Sequence, residues 1–388
     1  MPKYKKKQVC VITGSRADYG LLYLTLKSIN ASDKLELKLF VTGTHLSYEH
    51  GNTYKQIESD GFKISKKIRI LNDKNSKKDN ALSVAKGIRL FSEAFVDCRP
   101  DILLILGDRY EIFAAASTAM IMNIPIAHIH GGELTIGAID DAIRHSITKM
   151  AHIHFTSTKI YKDRIIQLGE NPKTVFEVGA PGVENIKKIK LLKRDDLENI
   201  LKMKMNKKNL LITFHPVTLN NNFTKKYLLN LLKSLSMLKE TNLYFTKANA
   251  DANGKIVNDL IDKFIKNNSN YFCYKSLGHI KYLSLLRQVD GVIGNSSSGI
   301  IEAPSLRKGT INIGDRQLGR LKAQSVIDCG YEVNDINKAI KLLYSKKFLS
   351  VLKSSKNPYF KSNTSQNIVN KIESLCLDKI LFKSFYDQ

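Results

Sequence analysis

The sequence contains no tryptophan, only 8 prolines among 388 residues, and five cysteines without a C-x-x-C pair. Cys10, Cys98, Cys273, Cys329 and Cys376 are odd in number and far apart, so neither a disulfide framework nor a cysteine-type zinc site follows. Arginine is scarce too. Of 61 basic residues only 12 are Arg and 49 are Lys, against 36 acids, for a net charge of +25. A nucleic-acid surface would gather Arg among stacking aromatics. Here the lysines run the whole length, and the nearest approach to a basic run, 187–208, is interleaved with Leu, Ile, Met and acids. The charge therefore describes a solvated surface, and no nucleic-acid partner is expected. Also missing is an apolar run fit to cross a bilayer. The most apolar stretch, 112–130, is broken by Ser117, Thr118, Asn123 and Pro125. The run after the basic N-terminus stops at Gly14-Ser15-Arg16, too soon for a signal-peptide core. No membrane partner and a cytoplasmic location are expected.

What is present is ordinary globular material, 43% hydrophobic and 25% charged. At about 100–200 residues per domain the length predicts two domains, each able to bury its own core. Short β-branched runs alternate with helix-length segments and end in Gly, Asp, Asn or His, the pattern of a parallel α/β protein. The predicted strands are 9–13, 37–42, 102–106, 124–128, 153–156 and 175–178 in the first half. In the second half they are 210–214, 243–246, 291–293 and 310–313. Two doubly wound domains follow, with a boundary near 184, where the turn residues Gly179-Ala-Pro-Gly give way to a charged stretch. A ligand is expected in the cleft between two such domains, at the carboxyl ends of their strands.

Several strand ends carry chemistry. Gly14-Ser15-Arg16-Ala17-Asp18-Tyr19-Gly20 follows the first strand and opens a helix, so it offers either an anion site on free backbone N–H groups or a plain turn capped by Ser15 or Asp18. Its spacing fits neither G-x-G-x-x-G nor the P-loop, and no nicotinamide cofactor is expected. Gly107-Asp108-Arg109 ends another strand with an acid and a base. The next predicted strand runs into His128-Ile129-His130-Gly131-Gly132-Glu133, two imidazoles on one strand face with an acid beyond flexible glycines. His-x-His invites a metal, but its Asp or Glu co-ligands would have to come from elsewhere, and either His could be a satisfied core residue. No metal is expected. Asp140 and Arg144 stand one turn apart on the following helix. Together Asp108, His130, Glu133, Asp140 and Arg144 fall on one sheet edge and suit proton transfer at carbon.

In the second half, His215 closes a strand alone. Gly294-Asn295-Ser296-Ser297-Ser298-Gly299-Ile300-Ile301-Glu302 offers hydroxyls and backbone amides at a helix start, with Glu302 placed one to two turns inside. That suits a diphosphate with a carboxylate near ribose hydroxyls. After the next strand, Arg316 and Arg320 bring two of the few arginines to the same rim, where a guanidinium can fork onto phosphate.

With these residues assembled, the chain resembles the UDP-N-acetylglucosamine 2-epimerase family, and within it the hydrolysing branch that forms N-acetylmannosamine for sialic acid synthesis. The motifs that carry the likeness are GSRADYG at 14–20, VTGTHLS at 41–47, LGDRYEIF at 106–113, HIHGGE at 128–133, DDAIRHSITKMAHIH at 140–154, GNSSSGIIE at 294–302 and NIGDRQLGR at 312–320. The resemblance implies two Rossmann-like domains of glycosyltransferase-B type facing across a cleft, without metal or other cofactor, in a homo-oligomer of two or four chains. The first domain would span 1–184, completed by a crossing-back segment at 366–388, and the second 185–365. The implied reaction on UDP-N-acetylglucosamine removes the C2 proton, expels UDP in an anti elimination to 2-acetamidoglucal, and adds water with C2 inverted. Carried over by motif position, Arg16, Ser296 and Ser297 hold the diphosphate, Glu302 the ribose and Arg316 the phosphates. His215 stabilises the departing β-phosphate, and Asn249 and the backbone at Leu277 flank uridine. Asp108, Glu133, Asp140 and Arg144 surround the sugar.

One departure stands out. Where many relatives read HIEGGE, this chain has His130, so the acid–base role of that Glu passes to His130, or else Asp108 or Glu133 performs it. An imidazole, with an ordinary pKa near 6.5, serves in either direction. Three other functions fit parts of the sequence: the same enzyme acting on a UDP- or GDP-linked 2,4-diacetamido-trideoxyhexose, as in legionaminic acid routes, a glycosyltransferase of the same fold, and a polyanion binder driven by charge.

Overall fold

The computed structural model describes residues 5–72, 76–136, 138–216, 223–248, 254–266 and 268–387. Two compact units emerge. One comprises Met1–Glu133, Asp140–Asn185 and Tyr359–Gln388, the other Leu134–Ile139 and Ile186–Pro358. The chain thus returns to the first unit at Tyr359, earlier than 366, and gives the second unit a short segment from the first half.

The first unit is built on β1 (Lys7–Thr13), β2 (Leu35–Thr42), β3 (Ile64–Ile68), β4 (Ile102–Leu106), β5 (Ile126–Ile129), β6 (Ile153–Thr156) and β7 (Val175–Glu177). They form one parallel sheet in the order β3-β2-β1-β4-β5-β6-β7. Its helices are α1 (Arg16–Asn30), α2 (Tyr54–Ser59), α3 (Lys77–Asp97), α4 (Tyr110–Ile121), α5 (Ile139–Met150), α6 (Lys159–Gln167) and α7 (Pro181–Lys188). β4, the run ILLIL, is buried at every position, as a central strand covered on both faces must be. One core packs Cys10, Ile12, Leu103 and Ile105 from the sheet against Phe91, Phe95 and the alanines of α4.

The second unit takes α8 (Arg194–Leu201), then β8 (Lys208–Thr213), α9 (Thr224–Ser236), β9 (Thr241–Thr246), α10 (Gly254–Ile265), β10 (Tyr271–Tyr274), α11 (Gly278–Gln288), β11 (Gly291–Gly294), α12 (Ser297–Ile301), β12 (Gly309–Ile313), β13 (Val326–Cys329), α13 (Val333–Leu343) and α14 (Lys346–Ser354). Its parallel sheet runs β10-β9-β8-β11-β12-β13, the dinucleotide-fold order. Apolar clusters cover both of its faces. After α14 the chain re-enters the first unit as α15 (Thr364–Ser374), which packs on α1.

Each sheet reverses its winding once, between β1 and β4 in the first unit and between β8 and β11 in the second. The carboxyl ends at such a reversal leave a crevice that no crossover covers, which is where ligands bind in open α/β sheets. Gly14 and Asp108 follow the first pair, and His215 and Asn295 follow the second. Three strands escape the sequence pattern: β3, β10 and β13 are edge strands, half-buried for most of their length. Among the described residues no helix is long and apolar enough to cross a membrane.

Candidate active site

In the first unit the strand ends of β4, β5 and β6 bring one charged network together. Asp108, just past β4, forms an ion pair with Arg144 of α5. The same buried guanidinium donates from Nη1 to the backbone carbonyl of Glu133 at 2.7 Å and lies 3.6 Å from Asp141. Helix α5 thereby fixes two strand-end loops at once. Glu133 is buried, and its Oε1 accepts hydrogen bonds from His130 Nδ1 and from Ser157 Oγ, the latter at 2.9 Å. Asp140 sits half-buried in the first turn of α5, where the helix dipole favours a negative charge. Four of the five expected residues, Asp108, His130, Glu133 and Arg144, therefore form one connected cluster, with Asp140 at the helix start beside Asp141.

The two imidazoles do not share a strand face as alternation predicts. β5 ends at Ile129, and His130 adopts φ 66°, a left-handed conformation that few residues with a Cβ occupy. His128 stays in the strand and donates from Nε2 to Gly107 O at 2.8 Å, and burial pushes its pKa down to about 3. The chain turns at His130, its N–H donating to Phe155 O at 3.1 Å, and the ring meets Glu133 instead of continuing along the strand. Nε2 of His130 is buried and has no hydrogen-bond partner among the described residues. His128 is a structural neutral ring, and among the described residues no three His, Cys, Asp or Glu side chains are placed to share a metal ion.

Of the two uses foreseen for the first turn, the structure has the cap. Asp18 accepts from Gly14 N at 2.8 Å and Ser15 N at 2.7 Å, and Ser15 caps α1 in return. Those two amides are occupied by a carboxylate, which leaves Arg16, half-buried at the first position of α1, as the cation there. Beneath the turn lies Glu111, fully buried, whose carboxyl is driven upward in pKa by burial against the opposing pull of Arg109 at 2.6 Å.

In the second unit Asn295 is the hub. Its side chain accepts from His215 N at 2.7 Å and donates to His215 O at 2.8 Å, locking the ends of β8 and β11 together. Gly294 makes this possible. At φ 139° its Cα faces Thr213 O, and a Cβ there would stand 1.9 Å from that oxygen. The carbonyl of Asn295 in turn accepts from Arg316 Nη1 at 3.0 Å and Gln317 Nε2 at 2.8 Å. His215, Ser296 and Arg316 are thus gathered around one amide. Ser296 caps α12, and Ser298 receives a hydrogen bond from Tyr282 of α11 at 2.7 Å. Helix α12 is shorter than expected and ends at Ile301, so Glu302 is its C-cap residue and not an interior one. Leu277 precedes α11 and is buried. Arg320 binds Leu134 O at 2.8 Å and so has a structural use. Asn249 lies outside the described residues. Sequence reasoning missed Ser157, Asp141, Asn295 and Gln317. Of these Ser157 and Asn295 stand directly at strand carboxyl ends, the one positional clue available.

Comparison with known proteins bears on this geometry. Residues 27–373 match the family described as UDP-N-acetylglucosamine 2-epimerase. The chain is 46% identical over 388 residues to GDP/UDP-N,N'-diacetylbacillosamine 2-epimerase (hydrolyzing) of Campylobacter jejuni, covering 98% of this chain and 99% of that protein. It is 41% identical to polysialic acid biosynthesis protein P7 of Escherichia coli, covering 98% and 97%. Among solved structures, UDP-GlcNAc 2-epimerase from Neisseria meningitidis bound to UDP-GlcNAc superposes with a TM-score of 0.78 at 18% identity, covering 94% of this chain and 99% of that one. The fold, two doubly wound α/β units of glycosyltransferase-B type, is shared with that structure.

Proposed function

The chain belongs to the UDP-N-acetylglucosamine 2-epimerase family, and on that premise we propose that it is a hydrolysing 2-epimerase of a UDP-linked 2-acetamido sugar, with UDP-N-acetylglucosamine as substrate and N-acetylmannosamine plus UDP as products. The observation that supports the proposal is the linked set Asp108–Arg144–Glu133–His130, a connected cluster of acidic and basic side chains at strand carboxyl ends.

The proton on C2 is weakly acidic, and UDP leaves readily only if its new charge is met. A base within hydrogen-bond reach takes the C2 proton, the C–H electron pair becomes the C1–C2 double bond, and the C1–O pair departs with UDP. Asp108, His130, Glu133 and Asp140 are the candidates for this proton and for its return to the opposite face of C2 as water adds at C1. Arg144 holds two of them in place. On the leaving-group side, His215, Ser296, Ser297 and Arg316 meet the diphosphate, with Arg16 as a further cation, and preorganised donors of this kind lower the barrier. Glu302 serves the ribose, and Leu277 and Asn249 the uracil. No metal and no other cofactor enters the step. A homodimer or homotetramer in the cytoplasm belongs to the same proposal.

A second substrate is favoured by the name of the 46% identical relative: a 2,4-diacetamido-trideoxyhexose on UDP or GDP, which presents the same C2–H and leaving group. Incubation with each sugar nucleotide in deuterium oxide tests both. Release of the nucleotide and of free 2-epimerised sugar carrying one deuterium at C2 is expected, and the faster substrate decides between the two. Product without that deuterium, or sugar transferred to an acceptor, overturns the mechanism.

A further inference from the structure

Glu133 Oε1 is the meeting point of two donors that come from different strand ends. The ring of His130 reaches it from the end of β5, and Ser157 reaches it from the end of β6 at 2.9 Å. An ionised carboxylate only accepts, so the proton in the first bond sits on Nδ1, and the second ring nitrogen, Nε2, carries a lone pair. That nitrogen is buried and has no hydrogen-bond partner among the described residues. A buried imidazole nitrogen without a partner is costly unless something else uses it. The backbone at His130 is also held in a sparsely populated conformation by a β6 carbonyl, at a cost of order 1 kcal/mol. Both features concentrate on one ring whose orientation depends on Glu133.

We propose that Ser157 is a positioning residue for the proton transfer: through Glu133 it holds His130 in the tautomer whose Nε2 takes the C2 proton. The assignment of the proton to that atom rests on the epimerase function proposed above. The hydroxyl of Ser157 occupies one lone pair of Oε1 and stops the carboxylate from rotating away, so the imidazole keeps one orientation. Other charged or titratable groups nearby are His128 of β5, Arg144 of α5 with its partner Asp108, and Arg164 of α6, which donates to Gly132 O. Ser157 reaches the same Glu133 oxygen that receives the ring, which makes it a group through which this contact is tuned.

Removing the hydroxyl frees the carboxylate to rotate, so the ring is no longer held in one tautomer. The test reads the imidazole nitrogens by nitrogen-15 NMR on the full chain, with the His130 signals identified by their loss in His130→Asn. In the unsubstituted protein His130 is expected as the Nδ1–H tautomer. Ser157→Ala should mix the two tautomers. In turnover, kcat should fall about tenfold with KM within about threefold. Ser157→Thr, which keeps the hydroxyl and guards against misfolding of the alanine variant, should restore both. The same Nδ1–H tautomer, equally populated without the Ser157 hydroxyl, overturns the proposal. The NMR measurement decides this even if neither sugar nucleotide is turned over, an outcome that would sink the epimerase function alone.

Discussion

Asp108 and Asn295 show what a single side chain does in each unit. Asp108 was legible because an acid directly after an apolar strand has no packing reason to be there, but its partner was not, since nothing in the spacing tells that Arg144 will turn toward it. Asp108→Asn keeps the shape and removes the charge. It should abolish turnover while UDP affinity stays within about tenfold, because its task lies at the sugar; UDP titration calorimetry beside a product assay checks this, and normal turnover would remove Asp108 from the site. Asn295 was passed over inside a serine-rich motif, since an amide gains its meaning only when β8 and β11 become neighbours. Asn295→Ala removes both hydrogen bonds to the His215 backbone and leaves buried groups unpaired, at about 1–3 kcal/mol each. Thermal unfolding should shift down, and UDP binding should weaken more than any change at Asp108 produces.

Among the elements, α5 carries the most. Its first turns hold Asp140, Asp141 and Arg144, and its C-terminal end is met from the far end of the chain: Lys383 donates to Lys149 O and, just past the helix, to Ala151 O, both at 2.7 Å. The same ammonium lies 2.7 Å from buried Glu170, which also takes His154 at 3.1 Å and Lys149 at 2.6 Å. Burial alone would raise the Glu170 pKa, but these three partners outweigh it and hold it at about 2. A cation at a helix C-terminus is favourable in itself, and here it also completes a buried carboxylate. Lys383→Met should therefore destabilise the protein by about 1–3 kcal/mol, read as a lower urea midpoint, with kcat falling through the loosened helix. An unchanged midpoint would show the tail to be ornamental. No local pattern announces this contact, because Lys383 is one of 49 lysines and its partners lie over two hundred residues away. The central strands were legible because β4 and its neighbours need uninterrupted apolar residues. The edge strands β3 and β13 were not, since a strand wet on one side tolerates the Lys and Asp that disguise it, whereas β10, the run YFCY, carries neither and is only four residues long.

Across the whole molecule the parallel architecture was readable, since alternating strand and helix lengths leave few other topologies, and so was the clustering of chemistry at strand ends. What remained hidden is which polar side chains become structural once buried, and this governs the response to acid. His45 is fully buried between Thr13 Oγ1 at 3.0 Å and Thr53 Oγ1 at 2.7 Å, and burial lowers its pKa to about 4. His128, equally buried, is lowered to about 3. Unfolding returns both rings to an ordinary 6.5, so below that pH the unfolded chain binds protons that the folded chain refuses. Their contribution is complete above 6.5 and lost as pH falls toward 4 for His45 and toward 3 for His128. Each ring accounts for about 1.4 kcal/mol per pH unit in that window, up to about 4 kcal/mol for the pair at pH 5. Glu170 does not share the window, because a carboxylate held at about 2 loses its contribution only as pH drops below its ordinary 4.5. Urea midpoints should therefore be level from pH 8 to 7 and fall steadily from 6.5 to 5, with the fall reduced in His45→Gln. A midpoint that stays flat down to pH 5 would mean that the two rings charge freely in the folded protein.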